Sequence, residues 1–235
     1  MRRALLIFGF SAALVPFSPA PAFAQLPPGP GPQASPSASS DKGATRIDGV
    51  AARIEDDIIT ESEVQELAAF QKLVDGESKP RQELLRELID QWMIRNEATA
   101  AKYAQPSAAD VDRAYSEFVK QFPSPEEFEK RCLVAGLTET AVRRIVAQQL
   151  YLSRFIDYRF RPSAQVSDEQ VEAYYKDEFA PQLKARKQPV PPLDDVEDTI
   201  REVLIQRAIN ERATKWLNDS RDALQIDIMS PGSGS

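Results

Sequence analysis

Acidic side chains are the most numerous groups in this sequence that could do chemistry, and they form two short runs. Glu55, Asp56 and Asp57 are adjacent, and so are Glu126 and Glu127. Carboxylates placed together could hold a hard cation or act as a general acid and base. Calcium loops, however, space their ligands over about twelve residues. The first run therefore favours a solvated turn, and the second favours the start of a helix, where acids offset the helix dipole.

The commonest catalytic and metal-binding side chains are scarce. The chain of 235 residues has no His and a single Cys, Cys132. His is the usual general base and metal ligand, so we expect no catalytic residue, no metal and no cofactor, and hence a protein that is not an enzyme. No phosphate-binding glycine loop or nucleophile elbow occurs. Cys132 follows Phe128 by four residues on an apolar helical face, which favours a buried core thiol over a reactive one.

Aromatic side chains form two stripes at helical spacing. Stripes of this kind usually belong to a hydrophobic core. The alternative is an apolar groove for unfolded chain segments, which Tyr suits because its ring is apolar and its tip polar. We therefore keep six residues as candidate binding residues. They are Tyr115, Phe118 and Phe122 on one predicted face, and Tyr174, Tyr175 and Phe179 on the other.

A basic run interrupts a proline-rich stretch near the end of the chain. Lys184, Arg186 and Lys187 lie between Pro181 and Pro192, in a stretch that we interpret as a connector. Runs of like charge are usually solvated, and contact with an acidic partner is the alternative. The whole chain is acidic, with a formal net charge of −7. This balance argues against nucleic acid as a partner and against attraction to an anionic membrane surface.

Helices must position these side chains. Only nine Gly, together with long runs rich in Ala, Leu, Glu, Gln, Lys and Arg, favour helix throughout the body of the chain. Capping signals mark the starts of several helices. These signals are Thr60 with Glu63, Ser107 with Asp110, Ser124 before Pro125, Thr138, and Ser167 with Gln170. The predicted helices cover about residues 61–75, 80–105, 107–122, 124–136, 138–160, 167–179 and 194–221.

A small β-element precedes the first helix. Residues 50–54 and 58–60 read as two strands around an acidic turn, and residues 224–228 alternate apolar and polar residues like a half-buried strand. A two-stranded hairpin alone is marginal in water, so we predict that the last strand pairs with it. The predicted fold class is mostly α, with a small N-terminal β-hairpin joined by a C-terminal strand.

The first residues indicate export. Residues 1–24 have a positive start at Arg2 and Arg3, an apolar stretch too short to span a bilayer, and a small-residue cleavage site ending at Ala24. We expect a cleaved signal peptide on the general secretory route, with twin-arginine export and a retained membrane anchor as alternatives. Residues 25–44 are rich in Pro, Gly, Ser and Ala and predict a disordered linker. The folded domain is predicted over residues 45–229, with a flexible tail at 230–235.

The stretch from Val50 to Val64 carries a resemblance to a known family. Its Val50-Ala51-Ala52 strand and its helix start from Asp57 onward resemble the opening of the SurA-like periplasmic chaperones. The resemblance continues in the family's order over about residues 46–228. Further segments that carry it are residues 81–91, 108–118, 128–137, 138–160, 166–171, 196–221 and 224–228.

The resemblance implies a helical chaperone core whose closing helix and strand fold back onto the N-terminal part. It also implies an ATP-independent periplasmic holdase, a protein that shields unfolded or partially folded exported polypeptides, including outer-membrane-type chains. Most such proteins insert parvulin peptidyl-prolyl isomerase modules before the closing helix. Here the corresponding interval is only residues 181–192, too short for a domain with its own core, and the His residues typical of parvulin sites are absent.

Two other functions remain as alternatives. One is a peptidyl-prolyl isomerase, which the missing module and the missing His disfavour. The other is a non-chaperone scaffold of the cell envelope that acts as a dimer, and a homodimer is also open for the chaperone. In each case we expect no nucleic acid partner and no stable insertion into a membrane.

Overall fold

The computed structural model describes residues 48–230, all of which belong to one unit of the chain. The predicted signal peptide and linker, and all but the first residue of the predicted tail, lie outside this range. The strands are β1 (Val50–Ile54), β2 (Asp57–Thr60) and β3 (Ile226–Ile228). The helices are α1 (Glu61–Asp75), α2 (Arg81–Ala100), α3 (Ala108–Val119), α4 (Pro125–Ala135), α5 (Glu139–Phe160), α6 (Asp168–Tyr174), α7 (Ala180–Ala185) and α8 (Leu193–Asp222). The predicted class, mostly α with a small β-element, is confirmed.

The small sheet joins the two ends of the described chain. Its strand order is β2-β1-β3, and β1 pairs with both neighbours in antiparallel fashion. Ile54 lies opposite Ile226, and Ala52 opposite Ile228. The predicted pairing of the last strand with the hairpin is therefore confirmed. The strand is shorter than expected, because the Gln225 N–H donates to Glu55 Oε1 outside the ladder.

The hairpin turn is tighter than the acidic run suggested. Asp57 already belongs to β2, so the loop holds only two residues, and Glu55 takes a left-handed φ of 52°. The Glu55 N–H donates to the Gln225 carbonyl at 3.1 Å. Asp57 accepts a hydrogen bond from Trp92 Nε1 at 2.9 Å, which fastens the turn to α2. The sheet is thus held both by α2 and by the segment before β3.

The predicted helix starts are confirmed. Thr60 and Glu63 form the expected capping box on α1, with the Thr60 N–H donating to Glu63 Oε2 at 2.8 Å. Side chains at the predicted caps of α3, α4, α5 and α6 accept in the same way from an N–H three residues later. Gly136 ends α4 at φ 71°, a left-handed conformation that a Cβ disfavours. Local hydrogen bonding therefore sets most helix boundaries.

Three predicted helix ends are wrong. α3 ends at Val119 instead of near residue 122. α2 ends at Ala100 instead of near residue 105, because Lys102 adopts a left-handed φ of 52° that breaks the helix. The helix after Ser167 does not end before Pro181, and continues as α7 to Ala185. Between α6 and α7 runs a π-turn, Tyr175–Phe179, in which the Ala180 N–H donates to the Tyr175 carbonyl five residues back. This wider turn precedes Pro181, whose ring would clash with a carbonyl in a regular α-helix.

The core lies where α1, α2, α5 and α8 meet. α5 packs against α2, α3 and α8, and α8 also contacts α2 and α6. Arg221 of α8 forms an ion pair with Asp90 of α2, next to the sheet. Among residues 48–230, no helix is both long and apolar enough to span a bilayer. Fully buried side chains among the described residues include Ile54, Leu85, Ile94, Phe155, Ile156, Ile200 and Ile209, while Leu73 and Val142 are fully buried in a cluster that also contains Phe70, Tyr115 and Phe128.

Candidate functional site

The first predicted stripe forms the centre of an aromatic cluster. Tyr115 and Phe118 lie on α3, and Phe122 follows that helix. Phe128 of α4 lies 5.1 Å from Phe122 and 6.2 Å from both Tyr115 and Phe118, measured between ring centroids. Phe70 of α1 stacks on Phe118 at 5.5 Å. We call these five rings the α3–α4 cluster, and they belong to the hydrophobic core of the protein.

Arginines cover the outer side of the α3–α4 cluster. Arg143 lies over the ring of Tyr115 at 4.5 Å, and Arg131 over Phe122 at 5.6 Å. Tyr115 is buried, whereas Phe118 and Phe122 are half-buried. Burial, assisted by the negative charge of Glu139, raises the pKa of Tyr115 to about 12. The three residues therefore hold helices together and do not form an open groove.

The second predicted stripe lies at the edge of the fold, and its residues face two different parts of the protein. Tyr174 ends α6, and its ring lies 4.7 Å from the guanidinium of Arg207 on α8. Arg207 also pairs with Glu178 at 2.9 Å, and this hydrogen bond lowers the pKa of Glu178. Tyr174 therefore packs against α8, although its ring remains half-buried.

Tyr175 and Phe179 face the segment before α8. Their rings stack with centroids 6.0 Å apart, and the Tyr175 hydroxyl donates to the Pro191 carbonyl at 2.7 Å. Both side chains are half-buried. None of the ring contacts found among residues 48–230 joins this pair to the α3–α4 cluster. The structure thus does not bring the six candidate residues into one site.

The most exposed aliphatic side chains lie on α4, where the sequence predicted a core face. Leu133 is 81% exposed and Val134 is 83% exposed. Cys132 is buried as expected, whereas Leu133 beside it is exposed. Leu133 directly follows Cys132, and one residue turns the helix by about 100°, which carries the side chain off the buried face. That spacing was the signal available in the sequence.

An open groove begins directly after this exposed pair in the chain. It has a volume of about 380 Å³ and lies between α1, the end of α4 and the start of α5. Its lining is mainly small and apolar, with three polar side chains. The lining residues are Gln65, Glu66, Ala69, Ala135, Gly136, Leu137, Thr138 and Ala141. Glu66 is held by an ion pair with Arg144, so its charge is partly neutralised. We call this the α1–α4 groove.

A second pocket, of about 480 Å³, is less suited to apolar chain segments. It runs along a single helix, α8, and all of its lining side chains are polar or charged: Asn210, Glu211, Thr214, Lys215, Asn218 and Asp219. Such a surface gives an apolar ligand nothing to bury against. The α1–α4 groove is therefore the better candidate for apolar chain segments.

A further aromatic group was missed in the sequence. Tyr103 contacts the rings of Tyr151, Phe155 and Tyr158, with centroids 5.2–5.8 Å away. Tyr158 is 63% exposed. The three α5 residues follow one another at spacings of four and three, which is a helical stripe that the sequence does show. This group adds an exposed aromatic ring to the surface near the end of α5.

Two acidic side chains of α2 have structural partners. Among residues 48–230, no cluster of three or more Asp, Glu, Cys or His side chains has the geometry to hold a metal ion. Of the two α2 carboxylates, that of Asp90 is buried and that of Glu87 is half-buried. Burial raises the pKa of Glu87, which accepts hydrogen bonds from Gln71 and Lys79, and burial likewise raises the pKa of Asp90 beside Arg221. Both acids connect α2 to other segments.

The comparisons with family models and with curated proteins found no relative of this chain.

Proposed function

We propose that this protein is an ATP-independent holdase of the periplasm, which binds unfolded or outer-membrane-type polypeptides through apolar surface. The observation that carries the proposal is the exposure of Leu133 and Val134, which directly precede Ala135, the first α4 residue that lines the α1–α4 groove. Contiguous exposed apolar surface marks protein interaction sites. The resemblance to SurA-like chaperones supports the same function and suggests export.

Reversible capture needs only moderate affinity. Full burial of a Leu or Val side chain contributes about 1.5–3 kcal/mol. Two such side chains contribute about 3–6 kcal/mol. Micromolar binding, about −8 kcal/mol after the cost of ordering the client segment, therefore needs further contacts along the α1–α4 groove. An unfolded client presents many apolar segments, so weak contacts at one groove still delay its aggregation.

The six aromatic residues have different parts in this proposal. Tyr115, Phe118 and Phe122 pack against Phe128 of α4 and hold that helix in place, so their contribution to client binding is indirect. Tyr174, Tyr175 and Phe179 are half-buried at the edge of the fold, and Tyr175 with Phe179 offers a second, smaller contact surface, while Tyr174 packs against Arg207 of α8. The direct contacts are assigned to Leu133 and Val134.

An aggregation assay tests the proposal. Residues 25–235, the predicted mature protein, should delay aggregation of a chemically denatured client at a near-equal molar ratio without nucleotide. The double variant L133S/V134S should need about tenfold more protein for the same delay, since a tenfold change corresponds to about 1.4 kcal/mol. The control I58S/V203S also removes two exposed apolar side chains, outside the groove, and should stay within about twofold of wild type. A wild-type protein that does not delay aggregation would refute the proposal.

The two alternative functions, a peptidyl-prolyl isomerase and an envelope scaffold, predict different experimental results. A peptidyl-prolyl isomerase would accelerate a proline-limited refolding reaction beyond its uncatalysed rate. An envelope scaffold would yield one stoichiometric partner after crosslinking in cells, whereas a holdase yields many clients. Cell fractionation of the full chain tests export, because the periplasmic fraction should contain the processed protein.

A further inference from the structure

Three basic side chains at the end of α7 have no ion-pair partner within the described part of the chain. Lys184, Arg186 and Lys187 are all exposed, and none has a carboxylate oxygen of residues 48–230 within 4.0 Å. Other cations in this part of the fold are paired, for example Lys176 with Glu172 at 3.0 Å. Unpaired cations clustered in three of four consecutive positions stand out in a chain whose net charge is −7. We call these three residues the α7 basic site.

The backbone holds the α7 basic site in place. The Arg186 N–H donates to the Gln182 carbonyl at 3.2 Å, and the Lys187 N–H donates to the Lys184 carbonyl at 3.0 Å. Lys187 has a left-handed φ of 54°, the conformation in which helices commonly end. The three cations are therefore presented by an ordered turn.

An apolar strip leads to the basic site. Tyr175, Phe179 and Leu183 follow one another at spacings of four, so they share one side of the helical run, and all three are half-buried. The Gln188 N–H donates to the Leu183 carbonyl at 2.9 Å, which folds the chain after the basic site back toward this strip. A ligand lying along the strip would meet apolar side chains first and cations at its end.

The nearby acids do not neutralise the site. Glu178 is committed to Arg207, and Glu172 to Lys176. Asp194 and Asp195 belong to the first turn of α8, where they offset the helix dipole, and no ion pair links them to the α7 basic site. Asp177 is exposed on the π-turn and is the one remaining carboxylate on the same helical run close to the strip.

We propose that Lys184, Arg186 and Lys187 bind acidic segments of client polypeptides, with Tyr175, Phe179 and Leu183 receiving the apolar residues beside the carboxylates. This inference rests on the proposed function and specifies its clients. The protein's own net negative charge disfavours acidic chains at other parts of its surface, so this local site would decide which acidic clients are held. Exposed ionic contacts are weak and sensitive to salt. We therefore expect a selectivity of about tenfold at low ionic strength.

Peptide binding tests the inference. Fluorescence anisotropy would follow a labelled peptide that alternates Asp with Leu and Phe, and a second peptide with Asn in place of each Asp. Wild type should bind the acidic peptide about tenfold more tightly than the Asn peptide. The variant K184Q/R186Q/K187Q should lose this preference. The control K120Q/K176Q/K215Q removes the same charge from ion-paired lysines and should keep it. Equal losses in both variants, or no preference in wild type, would overturn the inference.

The outcomes separate this inference from the proposed function. If wild type delays aggregation of an uncharged client but shows no preference for the acidic peptide, the inference fails and the holdase function stands. If the acidic peptide binds through the three cations but no client is protected, the site stands and the holdase function fails. Cosedimentation with phosphatidylglycerol vesicles that depends on the same cations, without peptide preference, would assign the site to lipid and overturn the inference.

Discussion

The two aromatic stripes look alike in the sequence and have different environments in the structure. Tyr115, Phe118 and Phe122 meet rings from two other helices and help to build the core. Tyr175 and Phe179 stack mainly on each other, and one hydroxyl bond to Pro191 holds them. The difference arises from what packs opposite each stripe, since rings of α1 and α4 contact the first and the segment that contains Pro191 faces the second. An apolar stripe at the edge of a fold remains available for a partner.

The largest contrast should appear in stability. Phe128 is buried among three rings of the first stripe, so Phe128→Ala should lower the free energy of unfolding by about 3–5 kcal/mol. Phe179 is half-buried, so Phe179→Ala should cost about 1–2 kcal/mol. Urea unfolding followed by circular dichroism measures both. Equal losses would show that the second stripe is also core.

A smaller effect isolates the hydroxyl bond of the second stripe. Tyr175→Phe removes the donor to the Pro191 carbonyl and should cost about 1 kcal/mol in urea unfolding. Tyr174→Phe serves as its control, because the Tyr174 hydroxyl has only a long contact of 3.5 Å with Arg207. That variant should change stability by less than about 0.5 kcal/mol. The reverse order would mean that the pair facing Pro191 is not held by this bond.

Substitution of two prolines should affect stability differently. Pro125 begins α4, which packs against the first stripe, and Pro181 directly follows the second stripe in the chain. Pro125 is the first residue of α4, where its fixed φ suits the helix, so Pro125→Ala should cost about 0.5 kcal/mol. Pro181 follows the π-turn, and Pro181→Ala would allow regular α-helical bonding there. We expect unchanged or slightly higher stability, by up to about 0.5 kcal/mol. A loss above about 1 kcal/mol for Pro181→Ala would show that the π-turn has another cause.

Alkaline pH should reveal the buried tyrosine of the first stripe. Tyr115 has its pKa raised to about 12 in the folded protein, against about 10 in an unfolded chain. Between these values the unfolded state has released this proton and the folded state has kept it. The contribution of Tyr115 to stability is therefore present below pH 10 and declines as the pH rises toward 12. Urea unfolding at pH 9 and 11 should show a larger decrease for wild type than for Tyr115→Phe, and equal decreases would place the ring in solvent.

Local signals in the sequence predicted much of the fold. The helix starts at Thr60, Ser107, Ser124 and Ser167 were correct, because a cap depends on residues within one turn. The pairing of the last strand with the hairpin was also predicted, since an isolated hairpin needs a third strand and one alternating segment remained, but which hairpin strand it joins was not. The end of α2 was not predicted, because the left-handed conformation of Lys102 cannot be inferred from its residue type.

The candidate surface was harder to predict than the fold. Periodicity indicates that a helix has an apolar face, and does not indicate which element covers it. The exposure of Leu133 and Val134 was therefore not predicted. The basic run at residues 184–187 was visible, but the absence of ionic partners within the described chain depends on distances that only coordinates supply.

The pairing of β1 with β3 also sets the order of events during synthesis. A ribosome makes Ala52 about 175 residues before Ile228, the residue opposite it. Until the C-terminal strand emerges, one edge of β1 has no neighbour and is open to wrong pairing with other chains. Termination of synthesis before Ile226 would thus leave that edge of β1 unpaired and prone to aggregation.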